Sequence, residues 1–188
     1  MTIVSGRNFR YTPFYCEENI WHLAQEKCFR GLEAFVVIIS GEGSHRRLWH
    51  QSLAENPESP VFWDYHVILL VYDDGWRVWD LDTTLGLPAS AETYFQKTFL
   101  SAGIDLENCD VILRLIASES YVQSFSSDRS HMKSPTGKWL APPPEWPAIT
   151  KGDKSNLLDW LDIGRDDPGQ VHTLAEFMSN FLTSDSKI

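Results

Sequence analysis

A cysteine near the start of the chain has the surroundings that nucleophilic catalysis requires. Cys16 follows the loop-forming residue Pro13, and apolar residues at helical spacing (Ile20, Trp21, Ala24) begin just after it. The first turn of a helix has free N–H groups and the positive end of the helix dipole, which favour a thiolate and can hold an oxyanion. We interpret Cys16 as a candidate nucleophile, whose partners would be a histidine and a carboxylate.

A predicted β-hairpin can supply both partners. Residues 61–72 and 76–82 are rich in β-branched and aromatic side chains, and an Asp-Asp-Gly turn separates them. With a three-residue loop, His66 lies directly opposite Asp82, and Asp80 is its diagonal neighbour on the same face. A register shift of one residue would separate these side chains. The hairpin therefore leaves two candidate carboxylates beside His66, with Asp82 slightly favoured.

The remaining patterns predict a mixture of helices and strands. Helical spacing or capping residues mark five segments, residues 17–29, 92–100, 118–125, 156–163 and 173–182. Continuous apolar runs predict strands at residues 33–40 and 110–117. Residues 41–45 read as a turn, and residues 126–155 as a long loop of the kind that is often functional. We expect an α+β domain with a largely antiparallel sheet packed with helices.

The composition argues against several functional classes. The chain has 188 residues, 43% of them hydrophobic, which suits one domain with a substantial core. We divide it into a flexible N-terminal arm, residues 1–13, and a single catalytic domain, residues 14–188. A net charge of −10 argues against nucleic acid as a partner, and no apolar run is long enough to span a membrane. The three cysteines form no CxxC pair, so neither a disulfide framework nor a metal site is expected.

Several short motifs, in order along the chain, resemble those of one known family. They are Tyr15-Cys16-Glu17-Glu18-Asn19-Ile20-Trp21, Trp63-Asp64-Tyr65-His66-Val67, Asp80-Leu81-Asp82-Thr83, Ser127-Asp128-Arg129-Ser130-His131-Met132-Lys133 and Pro142-Pro143-Pro144. Together they resemble protein N-terminal glutamine amidohydrolase, over residues 14–181. Separated motifs in a fixed order are more specific than any one of them, although the arm and the loop lengths around residues 41–58 depart from the family.

The resemblance implies a fold, a reaction mechanism, a pathway and a cellular localisation. The fold would be an α/β papain- or transglutaminase-like cysteine hydrolase scaffold, and the catalytic triad would be Cys16, His66 and Asp80. The reaction would convert the N-terminal glutamine of peptides and proteins to glutamate through a thioester, with release of ammonia and without metal or cofactor. The product would enter the N-degron pathway. We expect a monomer that acts in the cytoplasm and also in the nucleus.

An enzyme restricted to N-terminal residues must bind an α-ammonium, so we expect carboxylates or carbonyls near Cys16. The candidates for substrate binding are Tyr15, Glu18, Trp63, Asp64, Asp82 and Asp128. Each also has a structural interpretation. Glu18 suits the helix dipole, Asp64 suits a solvated strand end, and Asp128 suits a turn.

Two other functions remain compatible with the same residues. A cysteine peptidase or a transglutaminase-like enzyme would act on internal residues and would not require a free amino terminus. A non-catalytic module with an acidic groove would only bind peptide termini. The presence of all three residues Cys16, His66 and Asp80 argues against the non-catalytic module.

Overall fold

The structure is a computed structural model that describes residues 9–41, 46–100, 109–152 and 155–182. Its strands are β1 (Ala34–Ser40), β2 (Arg46–Leu48), β3 (Val61–Trp63), β4 (His66–Tyr72), β5 (Trp76–Trp79), β6 (Ala89–Ser90), β7 (Ile112–Ala117) and β8 (Gln170–Thr173). Six of these strands form one sheet in the order β6-β5-β4-β1-β7-β8, and β2 pairs with β3 separately. All pairings between the named strands are antiparallel.

Helices cover both faces of the large sheet. They are α1 (Cys16–Leu23), α2 (Ala91–Phe99), α3 (Ser118–Ser124), α4 (Leu157–Leu161) and α5 (Leu174–Phe177), and α5 continues as a π-helix over Met178–Leu182. Short 3₁₀ helices lie at Lys27–Phe29 and Ser130–Met132. The predicted α+β class with a largely antiparallel sheet is confirmed. Among the described residues, no helix combines the length and the hydropathy needed to cross a membrane.

Strand β1 runs through the centre of the sheet and separates two apolar cores. Val37 and Ile39 face a core that contains the aromatic side chains of α2 and α5, whereas Val36 and Ile38 face a core that includes α1 and α3. All four side chains are fully buried. The continuous apolar run therefore has the two-sided burial that the sequence predicted. The core containing α1 also holds the nucleophile candidate Cys16.

The predicted hairpin is confirmed at its turn and corrected at its ends. Tyr72 pairs with Trp76, as expected for a three-residue loop. The expected long strand over residues 61–72 is interrupted, because a bend at Asp64 separates β3 from β4. The returning strand ends at Trp79, since the Asp80 carboxylate accepts the backbone N–H of Asp82 at 2.9 Å and so stabilises a turn.

The other segments follow the sequence with smaller differences. The first helix ends at Leu23, short of the expected residue 29, and the chain continues through the Lys27–Phe29 turn. The capping box at Thr173 and Glu176 is present at the start of α5. Strand β8 has only the short, polar sequence Gln-Val-His-Thr and was not predicted. Most of the turn expected at residues 41–45 lies outside the described residues.

Part of the predicted N-terminal arm packs against the domain. Residues 1–8 lie outside the described residues. Beyond them, the Phe9 ring meets Trp79 edge-on at a centroid distance of 5.9 Å, and the Tyr11 hydroxyl donates a hydrogen bond to Asp82. Thr12 exchanges two hydrogen bonds of 2.9 Å with the Asn19 side chain. Residues 9–12 therefore contact the domain beside the predicted site, and the flexibility of the arm stays a prediction.

Candidate active site

Cys16 is the first residue of α1, as the sequence predicted, and lies against strand β4. Phe14, two residues earlier, has a φ of 70°, a left-handed conformation that is uncommon for a large side chain. Tyr15 then caps the helix without a side-chain hydrogen bond. The Cys16 side chain is 4% exposed, and α1 packs on β4, which begins at His66. The fold therefore places the cysteine at the strand that carries the candidate base.

The environment of Cys16 opposes the thiolate that the helix start would favour. Burial raises the pKa of the Cys16 thiol well above its usual value, and the nearby carboxylates of Glu17 and Asp82 raise it further. A hydrogen bond from the backbone N–H of Val67 lowers the pKa but does not offset these effects. Burial and the neighbouring carboxylates therefore act against the thiolate that a helix start favours, and a base that accepts the thiol proton would offset them.

His66 and Asp80 form a fully buried pair. The Nε2 atom of His66 lies 2.9 Å from Oδ1 of Asp80. Burial by itself would lower the pKa of His66, but the charge of Asp80 and its hydrogen bond outweigh burial, so the pKa is raised. Burial would raise the pKa of Asp80, but His66 and the donors around the carboxylate lower it. The His66 Nδ1 atom has no hydrogen-bond partner in the described residues. Because Nε2 donates to Asp80, neutral His66 has Nδ1 available to accept a proton.

Asp80 is held in place by three further donors. The Tyr94 hydroxyl donates to Oδ2 at 2.8 Å, and the Gln51 amide donates to the same oxygen at 3.1 Å. The backbone N–H of Asp82 donates to Oδ1. All of these groups are buried. The carboxylate that faces His66 is thus fixed in orientation by its own hydrogen bonds.

Asp82 lies beside the pair, and its hydrogen bond goes to Tyr11. Burial raises the pKa of Asp82, while the positive charge of protonated His66 opposes this shift. The hairpin register slightly favoured Asp82 as the partner of His66, and the structure instead pairs His66 with Asp80, because β5 ends before both aspartates. The sequence prediction of Asp82 as a substrate-binding residue stays a prediction.

His66, Asp80 and Asp82 are also close enough to hold a metal ion. One donor atom from each lies within 4.8 Å of the others, the only such cluster found among the described residues. Nε2 of His66 is already paired with Asp80, and Oδ1 of Asp82 accepts the Tyr11 hydroxyl. Metal binding through Nε2 of His66 and Oδ1 of Asp82 would break these hydrogen bonds, so these two atoms fit a proton-transfer network better than a metal site.

An aromatic wall covers His66 on one side. The Trp63 ring stacks on the imidazole, with centroids 5.0 Å apart and planes inclined by 29°. The Phe14 ring lies 6.2 Å from Trp63 and is 46% exposed. The sequence analysis named Trp63 as a substrate-binding candidate, and that role stays a prediction. Phe14, two residues before Cys16, was not among the candidates.

Glu18 is engaged in a buried ion pair. Its carboxylate accepts two hydrogen bonds of 2.7 Å from Arg129 and a third, also of 2.7 Å, from the Trp146 indole. The Arg129 guanidinium also lies 5.9 Å from the centroid of the Tyr15 ring, whose hydroxyl contacts Ala141 O at 3.3 Å. Glu18 and Tyr15 thus anchor the long loop to α1. A substrate ammonium could reach the Glu18 carboxylate only by displacing these donors.

The two remaining carboxylate candidates are exposed. Asp64 lies at the bend between β3 and β4. Asp128 accepts the backbone N–H of Ser130 at 2.9 Å, and hydrogen bonds from Ser130 lower its pKa. The turn-capping interpretation of Asp128 is therefore the one that its contacts support. Substrate binding by Asp64 or Asp128 stays a prediction.

The sequence analysis missed a buried carboxylate directly beside the candidate nucleophile. Glu17 is fully buried, and its Oε2 lies 3.7 Å from the Cys16 sulfur and 3.1 Å from the Tyr65 hydroxyl. Nε2 of His131 lies 3.4 Å from Oε1, which has no hydrogen-bond partner among the described residues. The acidic pair after Cys16 was a signal, but a first-turn glutamate is also what the helix dipole favours.

A buried cysteine at a helix start, near a hydrogen-bonded His–Asp pair in an α+β fold, is typical of hydrolases with a cysteine nucleophile. Comparison with known proteins specifies the family. The family model described as N-terminal glutamine amidase matches residues 11–181. The chain belongs to this family, and it is an amidohydrolase.

Several curated proteins are similar over nearly their whole length. The protein N-terminal glutamine amidohydrolase of Homo sapiens is 39% identical over 182 residues, covering 91% of this chain and 87% of the human protein. The protein of the same name from Bos taurus is 38% identical, covering 91% and 86%. That of Drosophila melanogaster is 36% identical, covering 93% and 89%.

Proposed function

We propose that this enzyme deamidates the N-terminal glutamine of peptides and proteins, giving N-terminal glutamate and ammonia. The observation that carries this proposal is the pairing of His66 Nε2 with Asp80, which leaves Nδ1 unpartnered, while the buried Cys16 side chain hydrogen-bonds the backbone of the adjacent residue Val67. The substrate follows from the name of the relatives, which are similar over most of the chain. Cys16, His66 and Asp80 form the proposed triad.

The proposed reaction begins with transfer of the Cys16 proton to His66 Nδ1. The sulfur attacks the side-chain amide carbon of glutamine, and the carbonyl oxygen becomes an oxyanion. The backbone N–H of Cys16 is in the first turn of α1 and so lacks an intrahelical acceptor, and in the proposed mechanism it stabilises that charge. His66 then gives its proton to the departing nitrogen, so that ammonia leaves and a thioester remains.

Hydrolysis of the thioester completes the cycle. His66 takes a proton from water, and the resulting hydroxide attacks the thioester carbon. The carbon–sulfur bond breaks, the Cys16 sulfur recovers the proton from His66, and glutamate is released. Asp80 stabilises the imidazolium that forms in each half of the reaction. Each step uses only groups of the chain and one water molecule.

The pKa values of Cys16 and His66 are both raised, and the two shifts support this division of roles. Burial raises the pKa of the thiol, and Asp80 raises the pKa of His66. A thiol of raised pKa is a poor nucleophile alone, and a base of raised pKa is better able to take its proton. The proton transfer is thus coupled to the attack on the substrate.

The scaffold, the oligomeric state, the localisation and the pathway are proposed from the family resemblance. We propose a papain- or transglutaminase-like scaffold, consistent with a nucleophile on a helix and a base on an antiparallel sheet. We also propose that the enzyme is a monomer, that it acts in the cytoplasm and the nucleus, and that its product enters the N-degron pathway.

The decisive test is ammonia release from four matched peptides. They carry a free N-terminal Gln, an acetylated N-terminal Gln, a Gln at the second position, and an N-terminal Asn. We expect release from the first peptide alone. Release from the peptide with Gln at the second position would support the rival enzyme that acts on internal residues, and peptide cleavage would support a peptidase.

Cysteine variants locate the nucleophile within that assay. We expect Cys16→Ala and Cys16→Ser to lose all turnover while they keep the circular dichroism spectrum and melting temperature of the parent. Cys28→Ala and Cys109→Ala are matched controls, because both thiols are free and only partly buried, and neither lies in the triad. Turnover by Cys16→Ala would overturn the proposed mechanism.

A further inference from the structure

The fully buried Glu17 carboxylate has no part in the proposed triad. Removing a carboxylate from water is unfavourable unless donors or cations surround it. Oε2 receives the Tyr65 hydroxyl, but Oε1 has only the His131 ring nitrogen at 3.4 Å, too far for a good hydrogen bond. Of the other buried carboxylates of this region, Glu18 and Asp80 each accept at least three hydrogen bonds, and Asp82 accepts the Tyr11 hydroxyl. Among the described residues, Oε1 of Glu17 is the buried carboxylate oxygen that lacks a hydrogen-bond partner.

The location of Glu17 matches the dimensions of a glutamine residue. Four bonds separate the α-nitrogen of glutamine from its side-chain amide carbon, so these atoms are at most about 5 Å apart. A sulfur poised to attack that carbon sits about 3 to 3.5 Å from it. An ammonium hydrogen-bonded to a carboxylate close to the sulfur can satisfy both distances. Glu17 Oε2 lies 3.7 Å from the Cys16 sulfur, whereas Glu18 already holds Arg129.

We propose that Glu17, together with Tyr65 and His131, forms the site that binds the α-ammonium of the N-terminal glutamine. This inference rests on the proposed function and names the group that restricts it to free amino termini. The ammonium donates a hydrogen bond to Oε1 of Glu17. His131, which is 13% exposed, lies 3.4 Å from Oε1 and moves aside when the ammonium binds. Tyr65 keeps Oε2 oriented through its hydroxyl.

The same contact links substrate binding to activation of the nucleophile. The negative charge of Glu17 is one of the causes that raise the pKa of the Cys16 thiol. An ammonium bound at Oε1 compensates this charge, so the thiol loses its proton more readily when the correct substrate is present. An acetylated terminus is neutral, cannot compensate the charge, and leaves a buried carboxylate unpaired. Selectivity for free termini therefore acts on both binding and chemistry.

The test is a cycle of two changes, one in the enzyme and one in the substrate. Glu17→Gln removes the charge with little change of shape, and a glutaramoyl peptide lacks only the α-amine of the glutamine peptide. For the parent enzyme we expect loss of the amine to lower kcat/KM by about 30- to 4,000-fold, the range for breaking a buried charged pair. For Glu17→Gln we expect activity on the glutamine peptide to fall similarly, and the preference for the amine to shrink below about 10-fold.

Controls separate this result from misfolding and from failure of the proposed function. Glu55→Gln removes one exposed charge elsewhere on the chain and should leave the preference unchanged. Glu17→Asp keeps the charge and should restore part of the preference. An undiminished preference in a folded Glu17→Gln variant, or no recovery in a folded Glu17→Asp variant, would overturn the proposal.

A binding measurement keeps the proposal testable without turnover. In the Cys16→Ala background, calorimetry with the free-amine glutamine peptide should show binding that Glu17→Gln weakens at least about 30-fold. Binding that is equal in both variants would refute the ammonium site even if the parent enzyme is active. Weakened binding together with an inactive parent would instead retain the ammonium site and reject the proposed deamidation.

Discussion

Arg129 donates two hydrogen bonds of 2.7 Å to the carboxylate of Glu18, a residue 111 positions earlier in the chain. Trp146 adds a third hydrogen bond to the same carboxylate. Glu18 lies on helix α1, and its two partners lie on the long segment between α3 and α4. This contact therefore joins the helix that carries Cys16 to the segment that places His131 beside Glu17.

Loss of Arg129 should destabilise the whole domain. In Arg129→Ala the Glu18 carboxylate stays buried without a cation, and we expect the free energy of unfolding to fall by about 3–5 kcal/mol. Urea denaturation measures this change. Arg165→Ala is the control, because its pair with Asp159 is more than half exposed on both sides and should contribute less than about 1 kcal/mol. Equal effects of the two substitutions would contradict the assigned importance of the buried pair.

The structure predicts that Asp80 matters more for catalysis than Asp82. Asp80→Asn removes the charge that stabilises the His66 cation, and we expect kcat to fall by about 10³- to 10⁴-fold. Asp82→Asn leaves the His66–Asp80 hydrogen bond in place, and we expect the fold-decrease in kcat to be less than a tenth of that for Asp80→Asn. Single-turnover kinetics of both variants provide the comparison. A larger loss in Asp82→Asn would restore the partner assignment that the hairpin register first favoured.

The His66–Asp80 pair should make stability depend on pH in opposite directions at the two ends of the range. The pKa of His66 is raised in the folded state, so its contribution is complete below the unfolded value of 6.5 and is lost as pH rises through the folded pKa. The pKa of Asp80 is lowered, so its contribution is present above 3.8 and is lost as pH falls through the folded pKa.

His66→Gln isolates the first of these two effects. The stability difference between parent and variant should be larger at pH 5.5 than at pH 9, as measured by urea denaturation at both values. A difference that grows toward pH 9 would show that burial, which alone lowers the pKa of His66, outweighs Asp80.

Tyr11 should tune the ionisation of Asp82. Its hydroxyl hydrogen bond lowers the pKa of Asp82 and so opposes the effect of burial. In Tyr11→Phe we expect that pKa to rise further, and the free energy of unfolding at neutral pH to fall by about 1 kcal/mol. Carboxyl-carbon NMR follows Asp82 directly. An unchanged or lower pKa in Tyr11→Phe would mean that the contact does not operate in solution.

The parts of the fold that the sequence predicted are those with strong local signals. Strand β1 is an uninterrupted apolar run, and an Asp-Asp-Gly turn joins β4 to β5. Strand β8 is short and polar and forms because β7 offers an edge, so its own residues carry almost no signal. The sequence also joined β3 to β4, because Trp63 and Tyr65 on either side of the bend both have high β-propensity.

The site residues that the sequence predicted are likewise those with strong local signals. Cys16 at a helix start follows from local pattern, and His66 with two nearby aspartates follows from hairpin geometry. The choice of Asp80 depends on where β5 ends, which a carboxylate–backbone hydrogen bond sets. Glu17 and Glu18 differ in their contact partners, and these partners are the side chains His131 and Arg129, which are distant in the sequence. No spacing rule in the sequence connects these residues.

The long separation within the Glu18 cluster has a consequence during synthesis of the chain. Trp146 lies 128 residues after Glu18. At about 5–20 residues per second, a ribosome adds that length in roughly 6 to 26 s. Throughout this interval the Glu18 carboxylate lacks the Trp146 donor that it has in the folded domain. The helix that carries Cys16 can therefore complete its packing only after most of the chain has been synthesised.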